Sequence, residues 1–166
     1  MGTPEPRSNF DSRAFGVPLQ KSGGVIGRET MLAVLPFYHS YGMSATVLSG
    51  AACVASLYID HRFNVRQVIR RIEKQRPTIF HAVPTMLIAM NNHLRKHSAD
   101  LISVKWVMSG GAGLPVEVAE EFASHTGGMV VEGYGLSEAS PVTHAGPLNI
   151  PSENGTIGLP MPDRVH

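Results

Sequence analysis

Residues 78–94 read TIFHAVPTMLIAMNNHL and contain the change of pattern that decides the fold. Residues 78–83 are mostly apolar, and their β-branched and aromatic side chains predict a buried strand. Pro84 suits the first turn of a helix, and the apolar residues after it recur at helical spacing to about Lys96. Because a helix leads out of this strand, we expect the next strand to lie parallel to it.

The same alternation of strand and helix continues on both sides of this stretch. The residue pattern predicts further strands at 31–35, 52–58, 101–108 and 129–131, and further helices at 42–48, 64–75 and 115–126. Together these elements predict an α/β fold, a parallel, doubly wound βαβ sheet of about five strands with helices on both faces. Glycine and proline are frequent from Tyr134 onward, so we predict a loop there.

The composition excludes several classes of function. The chain has 166 residues and a formal net charge of +1, so it does not bind nucleic acid as an overall polycation. Charged residues make up 16%, against about 25% in a typical soluble domain, which indicates that more protein covers part of the surface. The single cysteine, Cys53, excludes an internal disulfide and favours a cytoplasmic location.

Two segments invite a membrane or nucleic-acid interpretation. Residues 31–59 contain no Asp, Glu, Lys or Arg, but prolines and glycines interrupt them, so we predict no transmembrane segment and leave peripheral membrane contact open. Residues 60–76 carry six basic residues against two acidic ones. The helix predicted there has an apolar face and no aromatic residues for base stacking, which favours a solvated outer face and no nucleic-acid partner.

A histidine pair, His93 and His97, has the helical spacing of two metal ligands. A zinc site needs three or four converging ligands, and no third ligand is evident beside this pair. We therefore predict no metal site there.

The loop EGYGLSE at residues 132–138 follows a buried strand, where parallel sheets bind their ligands. Its glycines allow a ligand to approach the backbone closely, and Tyr134 offers a flat aromatic face. Ser137 offers a hydroxyl, and Glu138 offers a hard oxygen suited to magnesium. Taken alone, the loop is explained equally well as a tight turn.

Three other segments accompany this loop in order: LPFYHSYG at 35–42, SGGAGL at 109–114 and GTIGLP at 155–160. Walker-type, dinucleotide-binding and nucleophile-elbow motifs are absent from the sequence, so kinase, dehydrogenase and hydrolase interpretations lose their main support. Together the four segments resemble the adenylate-forming enzymes, the acyl-CoA synthetase or AMP-binding family. The continuation to His144 is most similar to the bacterial long-chain fatty acid CoA ligases.

This resemblance implies an activity and its cofactors. Family members activate a carboxylate with ATP, form an acyl-adenylate and pyrophosphate, and usually pass the acyl group to coenzyme A. The resemblance thus implies an ATP-dependent fatty acid–CoA ligase of lipid metabolism, with a fatty acid or other carboxylate as substrate and with ATP/AMP, Mg²⁺ and coenzyme A.

The resemblance also implies roles for individual residues. Tyr134 would lie against adenine, Ser137 would hold the adenylate phosphate, and Glu138 would bind magnesium. His39 would border the acyl pocket near the reacting carboxylate. The remaining residues implied in nucleotide and acyl binding are Gly110, Gly111, Ala112, Gly113, Gly133, Gly135 and Leu136.

Several parts of the family pattern are not found in this chain. The phosphate loop with its lysine, the ribose-binding aspartate, the hinge and the C-terminal domain with its catalytic lysine are missing. We therefore expect an internal fragment of the large N-terminal domain that is inactive by itself and whose partner is the missing remainder of the enzyme. Residues 29–166 would form a partial AMP-binding domain, and residues 1–28 an irregular leader or a remnant of cloning.

The sequence is also compatible with a second function and with an oligomeric state. A non-catalytic acyl- or nucleotide-binding module derived from this family is the alternative function. Assembly into an oligomer is compatible with the sequence as well.

Overall fold

The computed structural model describes residues 23–139, 142–148 and 155–161, so most of the predicted leader, residues 1–22, lies outside the described residues. One sheet of seven strands forms the centre, in the order β2-β1-β3-β4-β5-β6-β7. The strands are β1 (Thr30–Ala33), β2 (Ser56–Ile59), β3 (Ile79–Ala82), β4 (Trp106–Ser109), β5 (Met129–Gly135), β6 (Val142–Ala145) and β7 (Leu159–Pro160).

The helices occupy the connections that the sequence predicts. A π-helical segment (Gly42–Leu48) runs into a short α-helical turn, α1 (Ser49–Ala52), and a 3₁₀ turn (Ser137–Ala139) follows β5. The three longer helices are α2 (Val65–Gln75), α3 (Pro84–Leu94) and α4 (Val116–Thr126). None of the helices in the described part of the chain has the length and apolar content needed to cross a membrane.

The topology confirms the predicted doubly wound α/β fold. Strands β1 to β5 pair in parallel. β2 lies on one side of β1 in the sheet, whereas β3, β4 and β5 follow one another on the other side of β1. The connection from β1 to β2 therefore runs in the opposite direction to the later connections between parallel strands. Because such crossovers are right-handed, the segment between β1 and β2 lies on one face, whereas α2, α3 and α4 lie on the other. The crevice beyond β1 and β3 is therefore the switch point at which such sheets bind ligands.

The apolar core has a thick and a thin layer. On one face, Leu32, Phe80 and Val107 of the sheet pack against fully buried residues of the three long helices, such as Ile72 and Phe122. On the other face, a smaller cluster surrounds Cys53: Met31, Ile79, Trp106, Met108, Val131 and Leu148. At about 25 cal/mol per Å² of buried apolar surface, the thick layer supplies most of the hydrophobic stabilisation.

Two strands begin well after their predicted starts. The strand predicted at 52–58 begins only at Ser56, because Cys53 N–H still donates to Ser49 O at 2.9 Å and completes the helical turn. The strand predicted at 101–108 is confined to Trp106–Ser109, since a turn closes between Val104 N and Leu101 O at 3.0 Å.

The loop predicted from Tyr134 onward is wrong in part. β5 continues through Gly135, and β6 and β7 extend the sheet in antiparallel fashion. Gly158 has φ +84°, and a Cβ there would collide with the backbone of Ala145, so glycine permits this close approach. The sheet is therefore mixed, with five parallel strands and an antiparallel extension at one edge.

Candidate functional site

A cleft of about 290 Å³ opens beyond the carboxyl ends of β1, β4 and β5. Its walls come from three of the four segments singled out in the sequence. The lining residues are His39, Ser40, Tyr41, Met108, Gly110, Gly111, Gly133, Tyr134, Gly135, Leu136, Ser137, Glu138 and Val142. The fourth segment, at 155–160, instead supplies β7, which pairs with β6.

The first wall is a tight loop after β1. His39 N–H donates to Pro36 O at 3.2 Å, and Met43 N–H donates to His39 O at 3.0 Å. A Cβ on Gly42 would collide with the carbonyl of Pro36, so the loop can close only on glycine. The π-helical segment starts at this glycine, and such segments frequently occur at functional sites.

His39 is exposed at the mouth of the cleft. Its Nδ1 accepts a hydrogen bond from the Tyr41 backbone N–H at 3.1 Å. The neutral ring therefore carries its proton on Nε2, which is free to face a ligand as a hydrogen-bond donor.

Tyr41 ties this loop to the central strands. Its hydroxyl donates to the carbonyl of Met108 at 2.8 Å, and burial raises the pKa of the hydroxyl well above its usual value. The ring meets the ring of His81 edge-on, with 6.2 Å between centroids. The floor of the cleft is thus a half-buried, neutral phenol held between β1 and β4.

A pair of hydroxyls joins the first wall to the third. Ser40 Oγ and Ser137 Oγ lie 2.9 Å apart, although the residues are 97 positions apart in sequence. The carbonyl of Ser40 accepts from Ser44 Oγ at 2.5 Å, which holds the Ser40 backbone in the first turn of the helix. Ser137 therefore sits in a defined position at the entrance of the cleft.

The second wall is the glycine-rich loop after β4. Gly110 N–H donates to Ala82 O at 3.1 Å, and Gly111 has φ +83°, which favours glycine. Ala112 and Gly113, which the sequence also implies in the site, are exposed and do not line the cleft. The loop turns away at this point toward Leu114.

Glu132 holds the far end of that loop. Its Oε1 accepts from the Leu114 backbone N–H at 3.3 Å. Partial burial raises the pKa of this carboxyl, and the hydrogen bond from Leu114 opposes the shift. Glu132, which belongs to β5 and does not line the cleft, therefore links the third wall to the end of the glycine-rich loop.

The third wall is the end of β5. The register between β5 and β6 shifts at Tyr134 and Gly135, and such irregularities re-aim side chains near sites. Tyr134 keeps 43% of its surface exposed in the cleft. Its ring lies 6.3 Å from that of His144, and Thr143 Oγ1 donates to its carbonyl at 3.3 Å. The face of Tyr134 is thus available to a planar ligand.

The charges of the cleft are unbalanced. Among the described lining residues, Glu138 is the single carboxylate, and lysine and arginine are absent. One carboxylate beside two serine hydroxyls gives hard oxygen donors of the kind that magnesium prefers. The described residues contain no group of three or more His, Cys, Asp or Glu that could hold a metal ion by itself, so magnesium here would take most of its ligands from elsewhere.

Directly below the cleft, His81 is buried and 2% exposed. Its Nδ1 lies 3.3 Å from Thr46 Oγ1, and burial lowers its pKa to about 4. It borders an apolar cavity of about 20 Å³, which is room for roughly one water molecule. His81 is thus a core histidine with a hydrogen-bonding partner in Thr46.

Several cleft residues were not singled out from the sequence. Ser40 and Tyr41 lie beside His39 in the segment 35–42, and Met108 ends a predicted strand. Their position in a loop or strand end next to glycine was the available signal. Val142 belongs to β6, for which the sequence contained no recognised signal.

Comparison with known proteins gives consistent matches. The family model described as AMP-binding enzyme matches residues 10–166. A long-chain-fatty-acid–CoA ligase of Bacillus subtilis (strain 168) is 40% identical over 136 residues, which is 82% of this chain and 24% of that protein. The chain thus spans about a quarter of the length of this curated relative. This match confirms the predicted similarity to bacterial long-chain ligases.

Solved structures share the fold. Apo MatB from Rhodopseudomonas palustris superposes with a TM-score of 0.79 at 20% identity, covering 97% of this chain and 33% of that one. A malonyl-CoA ligase with methylmalonyl-CoA and AMP bound gives 0.75 at 26% identity, covering 90% and 34%. The family model, the curated relative and the shared fold agree with the ordered sequence segments, and the chain belongs to the AMP-binding enzyme family.

Proposed function

We propose that this chain is part of an ATP-dependent fatty acid–CoA ligase. The complete enzyme would convert a fatty acid, ATP and coenzyme A into acyl-CoA, AMP and pyrophosphate through an acyl-adenylate. The observation that supports this proposal is the convergence of three separate segments on one cleft at the carboxyl ends of β1, β4 and β5. The relative from Bacillus subtilis carries that activity in its name, and the malonyl-CoA ligase was solved with AMP and a CoA ester.

The nucleotide would lie along the third wall. The exposed face of Tyr134 offers a stacking surface for adenine, and base–aromatic stacking is worth about 1–3 kcal/mol. The glycines at 133 and 135 keep the approach to the backbone open. The Ser137 hydroxyl, placed by Ser40, would donate to a phosphate oxygen of the adenylate.

The carboxylate substrate would meet the nucleotide near His39. The Nε2–H of the neutral ring points to a donor role toward a carboxylate or adenylate oxygen, since Nδ1 already accepts from Tyr41. A fixed donor lowers the barrier where negative charge develops. Glu138 would hold magnesium, which when bound neutralises charge on the phosphate oxygens.

This chain alone would not catalyse the reaction. In-line attack on the α-phosphorus requires the triphosphate to be held, and such positioning accounts for about 7–11 kcal/mol of barrier. The described cleft lining contains neither lysine nor arginine to hold phosphates. We expect no pyrophosphate exchange above background from the 166-residue chain with a panel of fatty acids.

A chimera tests the proposal. Residues 28–161 would replace the matching segment of the Bacillus subtilis ligase, and acyl-CoA formation from fatty acid, ATP and CoA would be measured. We expect a folded chimera to be active, and Glu138→Ala in it to cut pyrophosphate exchange steeply because the proposed magnesium carboxylate is lost. Glu117→Ala, on the exposed face of α4, is the matched control and should leave the rate unchanged.

The outcome separates this proposal from the alternative of a non-catalytic module. A folded but inactive chimera, beside an active host enzyme, would contradict the proposal. Near-normal exchange in the Glu138→Ala chimera would contradict the magnesium role alone.

A further inference from the structure

Outside the cleft, the most prominent feature is a basic face on the outer side of α2 and α3. It consists of the exposed side chains of Arg62, Arg66, Arg70, Lys74, Lys96 and His97. Arg66, Arg70 and Lys74 follow one another at intervals of four residues, so they are neighbours on the surface of one helix.

The described ion pairs leave the cations of this face without a carboxylate partner, and the exposed Glu73, beside Lys74 on α2, accepts instead from the backbone N–H of Asp100 at 3.2 Å. The ion pairs of the described residues join Arg71 to Asp60, Arg76 to Asp100 and Arg95 to Glu121, and each uses a cation outside the basic face. Arg70 Nε donates to the backbone carbonyl of Arg66 at 3.2 Å, which leaves both guanidinium charges unpaired. Like charges four residues apart destabilise a helix, so Arg66, Arg70 and Lys74 disfavour one another in the absence of a bound anion.

A groove of about 520 Å³ runs through the basic face between α2 and α3. Arg66 lies on one wall, and His93, Lys96 and His97 lie on the other, with the amides of Asn64 and Asn92 beside them. The rings of His93 and His97 are 4.5 Å apart. Partial burial, together with the charges of His97 and Arg66, lowers the pKa of His93. The groove therefore concentrates cationic and hydrogen-bonding groups without a carboxylate among its described lining residues.

We infer that the basic face docks on an anionic phospholipid surface, with lipid phosphates entering the groove between α2 and α3. Four to eight clustered Lys and Arg on an amphipathic helix are the arrangement that anionic lipid headgroups attract. The net charge of the whole chain is only +1, so the positive potential is local and suits contact along one plane.

Nucleic acid is the less favoured polyanion. Sequence-independent binding of a single strand uses aromatic side chains on which bases stack, and Phe, Tyr and Trp are absent from the described groove lining. A sequence pI of about 8.0 is also below the strongly basic range of nucleic-acid-binding domains. This inference does not depend on the ligase activity, because it concerns a face remote from the cleft residues.

Vesicle flotation of the 166-residue chain tests the inference. Vesicles of phosphatidylcholine alone would be compared with vesicles that also contain phosphatidylserine. We expect binding to the anionic vesicles only, and its loss at high salt. Replacing both Arg66→Gln and Arg70→Gln should weaken partitioning by about fivefold for each charge removed.

Two further variants make the result specific. Arg28→Gln with Lys105→Gln removes the same charge from exposed positions outside the basic face and should leave partitioning within about twofold of the unmodified chain. Arg66→Lys with Arg70→Lys keeps the charge and should retain binding. Equal partitioning to neutral and anionic vesicles, an equal loss in the control variant, or tighter binding to a duplex oligonucleotide than to vesicles would overturn the inference. Circular dichroism would verify that each variant keeps the helical content of the unmodified chain.

Discussion

Replacing Gly110 by alanine should destabilise the protein through one side chain, Tyr41. A Cβ on Gly110 would lie 3.1 Å from both Cε1 and Cζ of the Tyr41 ring, and 3.3 Å from the Gly133 carbonyl oxygen. Carbon atoms prefer a separation of about 3.5–4.0 Å, so the ring must move by a few tenths of an ångström. The ring cannot move freely, because its hydroxyl is bound to the carbonyl of Met108 at 2.8 Å.

The expected magnitude comes from two opposing effects. Inserting a methyl group into a packed site costs about 1–3 kcal/mol. Replacing glycine by alanine also reduces the entropy of the unfolded chain, which stabilises by about 0.4–1 kcal/mol where the backbone allows alanine. The net change in the free energy of unfolding should therefore be a loss of about 1 kcal/mol, with an upper limit near 2.6 kcal/mol.

Gly113→Ala is the matched control in the same loop. A Cβ there meets only Glu132 Oε1, at 4.0 Å, so this variant keeps the entropic gain without the clash. The two variants should differ by about 1–3 kcal/mol in urea unfolding, which corresponds to about 2–12 °C in melting temperature for a chain of this size. Equal stabilities of the two variants would refute the claim that Tyr41 is held rigidly against the glycine loop.

Three further changes test the core and the helix ends. The free energy of unfolding should fall by up to about 3 kcal/mol as the pH is lowered from 6.5 to 4. The pKa of His81 is lowered to about 4 in the folded protein, so this histidine is protonated at a higher pH in the unfolded chain than in the folded one. Urea unfolding as a function of pH measures this. Asn64→Ala should cost about 1 kcal/mol, because the side chain of Asn64 accepts from Gln67 N–H at 3.1 Å and caps α2; thermal unfolding measures this. Val54→Gly should raise the melting temperature slightly, because Val54 has φ 52°, which a β-branched side chain disfavours; calorimetry measures this.

Each of these expectations has a control or a contradicting result. If a folded His81→Gln variant loses stability as steeply as the unmodified chain over this pH range, another group is responsible. Asn64→Asp should retain the cap, so an equal loss in Asn64→Asp and Asn64→Ala would contradict the capping explanation. A lower melting temperature for Val54→Gly would show that the left-handed conformation at this residue is not strained.

The parallel part of the fold was predictable because its signals are local. Pro84 marks the start of α3, and Asn64 marks the start of α2, which it caps. The alternation of buried strands with helix-sized connections then leaves little choice of topology. The boundaries near Cys53 and Val104 were missed because apolar residues at a helix end or a turn resemble those of a buried strand.

The antiparallel edge and the cleft floor depend on contacts that sequence patterns do not contain. β6 is a short strand of four residues whose partner is the end of β5, and its pairing follows from the position of β5 in the sheet. Tyr41 reaches the carbonyl of Met108, 67 positions away, and Ser40 reaches Ser137, 97 positions away. The segments that line the cleft were recognised from the sequence, but the links between them are tertiary contacts.

We propose that the cleft beyond β1, β4 and β5 binds an acyl-adenylate. Titrating the ¹⁵N-labelled chain with a non-hydrolysable acyl-adenylate analogue, and following each backbone amide by NMR, tests it most directly. We predict weak binding, with the largest shifts at residues 39–41, 110–111 and 133–138. Shifts confined to the groove between α2 and α3, or no shifts in a folded chain at millimolar analogue, would contradict it.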